Sequence, residues 1–314
     1  MRSGRLTMGL FGLGLAALAA CDMAKAPLGP GLEAQHVDQP ASNAPSAVSQ
    51  ALAGYYATLE ADLLARGLLR TDGGGPDTPY DETDLLRNFE QIVFYDEYAS
   101  GGGFRPSAGR AGRLRKWQEP VRLSVEFGAS VPEAQRADDR RTVADYVARL
   151  ARITRHPITL SDTNPNFHVL FMGEDDRDAI PVRIRQIVPN IGENTLAIFR
   201  TMPRSIHCLV VAFSGEGNDH AYRRAVALIR AEHPPLLRQS CVHEELAQGL
   251  GLADDSPEAR PSIFNDDDEF ALLTSHDEIL LRLLYNPALS PGMTPDEARP
   301  ILRRLLAARA GGPV

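Results

Sequence analysis

Two adjacent carboxylates, Glu244 and Glu245, are followed at short intervals by Gln248, Gly251 and Asp254. On a helix of about 3.6 residues per turn, Glu244 and Gln248 fall one above the other, with Glu245 beside them. Gly251 stands where that helix would end, because glycine takes the left-handed backbone that redirects a chain sharply. Asp254 follows the turn. The arrangement offers Glu244, Gln248 and Asp254 as metal ligands and Glu245 as the catalytic general base that would take a proton from water. These ligands are all oxygen. Calcium, magnesium or manganese suit them better than zinc, which prefers imidazole and thiolate. The cofactor is left open between no metal and a divalent ion, with zinc disfavoured. Without metal, Glu244 and Glu245 are acidic neighbours on a helix, and Gln248 satisfies buried backbone groups.

The spacing resembles the metzincin zinc motif, HExxHxxGxxH, with all three histidines replaced. Registered on Gly251, Glu245 falls on the general-base glutamate and Leu250-Gly251-Leu252 on the usual Leu-Gly-Leu. A frame using His243 and Glu244 as the His-Glu pair would put Ala247 at the second histidine, and it is rejected. His243 and His276 are read as packed or surface histidines. Downstream, Leu273-Thr-Ser-His-Asp277 followed by Leu280, Leu281, Leu284 and Tyr285 is similar to the helix after a metzincin active site. Ser262-Ile-Phe-Asn265 lies where those enzymes carry their Met-turn, with Phe264 in place of the methionine. Met293 comes after the helix, too late for that role.

Taken with the run from Arg115 to Arg122 and with Leu284-Tyr-Asn-Pro287, these motifs resemble a family of bacterial envelope proteins, DUF2927, grouped with the zincin-like peptidases. The resemblance covers residues 115–300. It implies an α+β, metzincin-like (zincin-like) fold with a small twisted sheet and long helices, and it implies no particular reaction.

The start of the chain points to export. Arg2 and Arg5 precede an uncharged run, 6–20, that is too short for a comfortable membrane span but suits a signal peptide. The sequence Leu18-Ala19-Ala20-Cys21 resembles the bacterial lipobox, which makes Cys21 the lipidation site of a protein anchored to the periplasmic face of a membrane. Asp22 favours the inner membrane. Residues 21–46, rich in Ala, Pro, Ser and Gly, read as a disordered tether. Cys208 and Cys241 are then an even pair in an oxidising compartment and are expected to form a disulfide. A formal net charge of −8, more negative once Arg2 and Arg5 are removed, argues against nucleic-acid or anionic-lipid binding.

These residues must be positioned by ordinary elements. Apolar periodicity predicts helices over 48–69, 83–98, 133–153, 180–187 and 220–231, and strands over 121–127, 167–172, 195–199 and 208–213. Trp117 is expected to be a packing anchor. The glycine-rich basic loop 101–110 lacks a P-loop ending and reads as a linker; the acidic run 265–269 lacks calcium-loop spacing and reads as a solvated turn. The expected organisation is signal peptide 1–20, tether 21–46, helical extension 47–114 and metzincin-like domain 115–314. Two functions compete. One is a non-catalytic binding or scaffold module for an envelope protein or peptide; the other is a divergent metallohydrolase using Glu245 as its base.

Overall fold

The computed structural model describes residues 44–96, 109–215, 217–265 and 267–310. The signal segment, Cys21, the tether up to residue 43 and most of the basic loop lie outside them. The described residues form an α+β structure of eight α-helices and a six-stranded, mostly parallel sheet.

Helix α1 (Ala47–Ala65) is capped by Ser46, whose side chain accepts from Ser49 N, and it buries Tyr56 and Leu63. Four hydrogen bonds fasten it. Ser46 N donates to Asp175 Oδ2 at 2.9 Å, Ser49 Oγ to Glu232 Oε1 at 2.8 Å and Tyr56 OH to Arg204 O at 2.8 Å, while Glu60 Oε2 accepts from Leu237 N at 2.9 Å. Helix α2 (Glu82–Phe94) starts in a capping box of Asp81 and Asp84. Its Leu85, Phe89 and Ile92 lie in the same core cluster as the central strands. Strands β1 (Lys116–Trp117) and β2 (Val121–Phe127) follow, then α3 (Glu133–Thr154), β3 (Ile158–Leu160) and β4 (Phe167–Met172). After a short 3₁₀ turn, Glu174–Asp176, come α4 (Ala179–Ile187), α5 (Glu193–Arg200), β5 (Cys208–Gly215), β6 (Asn218–Arg230) and α6 (Pro235–Leu250). The chain closes with α7 (Ser275–Leu284) and α8 (Pro295–Ala310).

The strands are ordered β3-β2-β4-β6-β5, and β1 pairs with the first part of β6. Only β5 is antiparallel, as the tight hairpin into β6 requires. Helices cover both faces. Phe167, Val169 and Phe171 of β4 point to the larger core shared with α2, α3, α6, α7 and α8, while Leu170 and Met172 point to a smaller one under α4 and α5.

This double cover explains one difference from the sequence reading. Residues 220–231 are not a helix but most of β6, and Ala225, Val226, Ala227, Leu228 and Ile229 are all buried. A strand buried on both faces has no polar alternation to betray it. Conversely, 195–199 is not a strand: it belongs to α5, which buries Leu196 and Phe199 three residues apart.

The two residues of β1 hold the C-terminal half. Trp117 is buried, and its Nε1 donates to Gly249 O at 2.8 Å, tying β1 to α6. Lys116 is buried too. Its Nζ donates to Leu284 O at 2.8 Å and to Leu289 O at 2.7 Å, at the carbonyl end of α7, and burial pushes its pKa down to about 8.

Candidate functional site

Helix α6 carries the motif. It starts after Pro234 with Pro235 in its first turn, lies across β5 and β6, and is stapled to the sheet by the disulfide Cys208–Cys241, with Cα atoms 5.8 Å apart. Gly249 allows the close approach: a Cβ there would fall 2.4 Å from the Phe167 ring. Gly251 ends the helix at φ +124°, and a Cβ there would meet Arg115 O at 2.5 Å. Conformation and space both demand glycine at that turn.

The motif residues are drawn into the body of the protein. Glu245 is 2% exposed, Gln248 and Asp254 9% each, and Glu244 is half-buried. Glu244, Glu245 and Cys208 form one group whose donor atoms all lie within 4.8 Å of one another. Asp254 does not belong to it. Gln91 of α2 donates Nε2 to Asp254 Oδ2 at 2.7 Å, and the backbone N–H groups of Ala253 and Asp254 both donate to Ile92 O. The chain after Gly251 is thereby docked on α2. Gln91 has no sequence signal for this role, since the two residues are 163 positions apart.

This donor set does not fit zinc. The three imidazoles of the motif it resembles are absent, and the sulfur beside Glu244 and Glu245 is bonded to Cys241 and so is no thiolate.

Flanking residues are locked in place. His243 Nδ1 accepts from Leu273 N at 3.1 Å, and its ring stacks on Tyr146 at 3.9 Å. Tyr146 OH donates to His243 O at 2.8 Å. The turn at Ser262 is held by Asp277 of α7, which accepts from Ser262 Oγ at 2.6 Å, Ile263 N at 3.1 Å and Thr274 Oγ1 at 2.8 Å. Phe264 is fully buried. His276 is buried as well, with Nε2 3.1 Å from Asn88 Nδ2 and Nδ1 3.4 Å from Asp277 Oδ1. In the acidic run, Asp267 and Asp268 are exposed, whereas Glu269 is ion-paired to both Arg70 and Arg260.

Two groups set an acid limit, His243 within this framework and Glu126 on the opposite face of the sheet, beside α4. Burial pushes the Glu126 carboxyl up, but His168 and Arg183 outweigh it and hold the pKa at about 2. Burial, helped by Arg149, pushes His243 down to about 3. The unfolded chain protonates a histidine near pH 6.5 and a glutamate near 4.3, while the fold resists both until lower pH. Stability should fall first between pH 6.5 and about 3 through His243, and again from about 4.3 to 2 through Glu126. Urea unfolding midpoints measured across that range should drop steadily. His243→Gln should flatten the upper part of the drop, and an unchanged profile in that variant would remove His243 as its cause.

The family model described as protein of unknown function (DUF2927) matches residues 82–304, which begins at α2 and ends within α8. No curated protein and no solved structure matches the chain.

Proposed function

This chain belongs to the DUF2927 family, and from that premise we propose that it is a membrane-anchored envelope lipoprotein whose zincin-like domain is a non-catalytic binding or scaffold module. The observation that carries this reading is the engagement of Asp254. A residue in the third ligand position is held by Gln91 and fixes the post-glycine chain to α2, outside the group formed by Glu244, Glu245 and Cys208. The zincin-like assignment is supported by the order of parts. A sheet with one antiparallel edge strand leads into the motif helix, which a glycine turn closes, and the Ser262 turn is clamped by the next helix.

The partner is an envelope protein or peptide. Strand β5 offers a physical route to it, because among the described residues only β6 pairs with it. An edge strand presents backbone donors and acceptors to which an extended segment can add. Cys21 places the domain at a membrane, with Asp22 favouring the inner one. No helix among the described residues is long and apolar enough to cross a bilayer.

The second reading, a metallohydrolase with Glu245 as base, is favoured by Glu245 standing beside Glu244 in the register of a general base. Metal analysis of the purified full chain separates the two. The binding reading expects a folded protein without stoichiometric metal and with unchanged behaviour in Glu245→Gln. Stoichiometric calcium, magnesium or manganese, with a peptide-cleaving activity that disappears in Glu245→Gln, would overturn it.

A further inference from the structure

A second set of donors surrounds the disulfide, on the side of α6 facing β5 and α1. His233 is 2% exposed; its Nδ1 faces Cys241 Sγ at 3.7 Å and its Nε2 has no hydrogen-bond partner. The Tyr56 ring stands edge-on to it at 4.2 Å. On the opposite sulfur, Cys208 Sγ lies within 4.8 Å of a carboxylate oxygen from each of Glu244 and Glu245. A disulfide sulfur is at best a weak acceptor, so an imidazole buried against it recovers little of its lost hydration.

We propose that reducing Cys208–Cys241 frees both sulfurs to draw these two groups, His233 beside Cys241 and Glu244 and Glu245 beside Cys208, together into a closed site for a thiophilic divalent ion such as zinc. Cys208, Cys241 and His233 would be ligands, and Glu244 or Glu245 would supply the fourth. Two thiolates, one neutral imidazole and a carboxylate make the mixed tetrahedral set that zinc takes. Zinc–sulfur and zinc–nitrogen bonds at a tetrahedral angle put sulfur and nitrogen about 3.6 Å apart, close to the 3.7 Å between Cys241 Sγ and His233 Nδ1.

The chemistry balances with an external dithiol. Its two thiol hydrogens and two electrons pass to the protein disulfide, which becomes two thiols, while the dithiol becomes a disulfide. Metal binding then releases the two thiol protons. A covalent staple between β5 and α6 is thus exchanged for a metal one. The inference requires neither Glu245 to act as a general base nor Gln248 and Asp254 to bind a metal; it takes only one carboxylate from Glu244 or Glu245.

The test uses the full chain carrying Cys21→Ser, so that Cys208 and Cys241 are the two remaining cysteines. A trialkylphosphine reduces the disulfide and leaves as its phosphine oxide, with water supplying the oxygen. Cobalt(II) and zinc(II) are the probes. The reduced chain should bind one cobalt with a thiolate-to-metal charge-transfer band that zinc abolishes; the oxidised chain should bind none. His233→Ala should weaken binding at least ~10-fold, as loss of a metal-site residue does, and Cys208→Ala should remove the band. The proposal falls if the reduced chain, with two titratable thiols and native circular dichroism, takes up no cobalt. It also falls if the band survives in both variants, if the oxidised chain takes up cobalt equally, or if the reduced chain unfolds in the presence of zinc. The reduced unsubstituted site decides the matter even where a variant fails to fold.

Discussion

Asp277→Ala should lower the stability of the folded chain by roughly 4 kcal/mol, the cost of breaking a buried charged network. The expected Tm drop is on the order of 10 °C for a domain of this size. Asp277 is fully buried. Burial pushes its carboxyl up, but hydrogen bonds from His276, Ser262 and Thr274 outweigh this and hold it below the usual carboxylate range. Removing the carboxylate strands the Ile263 and Thr274 amides and the Ser262 hydroxyl at once. Each buried donor left without an acceptor costs about 1–3 kcal/mol. Asp277→Asn keeps the shape and one acceptor and should cost less. Calorimetry on both variants checks this, and equal small losses would show that the Ser262 turn does not depend on the charge.

Asp277 also marks how far the sequence could be read. The Leu273–Tyr285 stretch is expected to be a helix through its resemblance to the one after a metzincin active site, and α7 occupies Ser275–Leu284 of it. The partners of Asp277 across the Ser262 turn are not legible, since no local pattern encodes a contact 14 or 15 residues away. The same division runs through the fold. Strands β2 and β4 and the disulfide match the sequence pattern, whereas residues 220–231 carry a helical pattern and form most of β6. The alanine, leucine and arginine residues of β6 favour helices, and only sheet neighbours on both sides and helices on both faces make it a strand. Helix α8 is not among the expected helices, although Ala298, Leu302 and Leu306, all buried, repeat every four residues. At the candidate site, the Gly251 turn and the adjacency of Glu244 and Glu245 were visible in the spacing. The hold of Gln91 on Asp254 and the approach of His233 to Cys241 depend on distant or unpatterned contacts.

Cys21→Ser should release the chain from lipid altogether. The proposal assigns that thiol the whole of the membrane attachment, and each acyl methylene buried in a bilayer contributes about 0.8 kcal/mol, so that a doubly acylated cysteine holds a protein stably. Intact mass and detergent-phase partitioning report this directly. The unsubstituted chain should begin at Cys21 with added lipid mass and partition into detergent. The Cys21→Ser chain should carry no lipid, and once freed of its first twenty residues it should stay in the aqueous phase. An unsubstituted chain with a bare Cys21 would sink the anchoring proposal, and with it the inference that the partner resides in the envelope.

Helix α1 has a mechanical consequence. It lies before the first residue of the family match, and it is fastened by contacts of Ser46, Ser49, Tyr56 and Glu60 that follow one another along its length. Tension applied to the chain ahead of Ser46 would load them one at a time, the Ser46 bond first and the Glu60 bond last. Attachments loaded in sequence peel at lower force than attachments sheared together. Helix α1 would therefore come away as a compliant leader, extending the reach of the domain before the sheet itself is pulled apart.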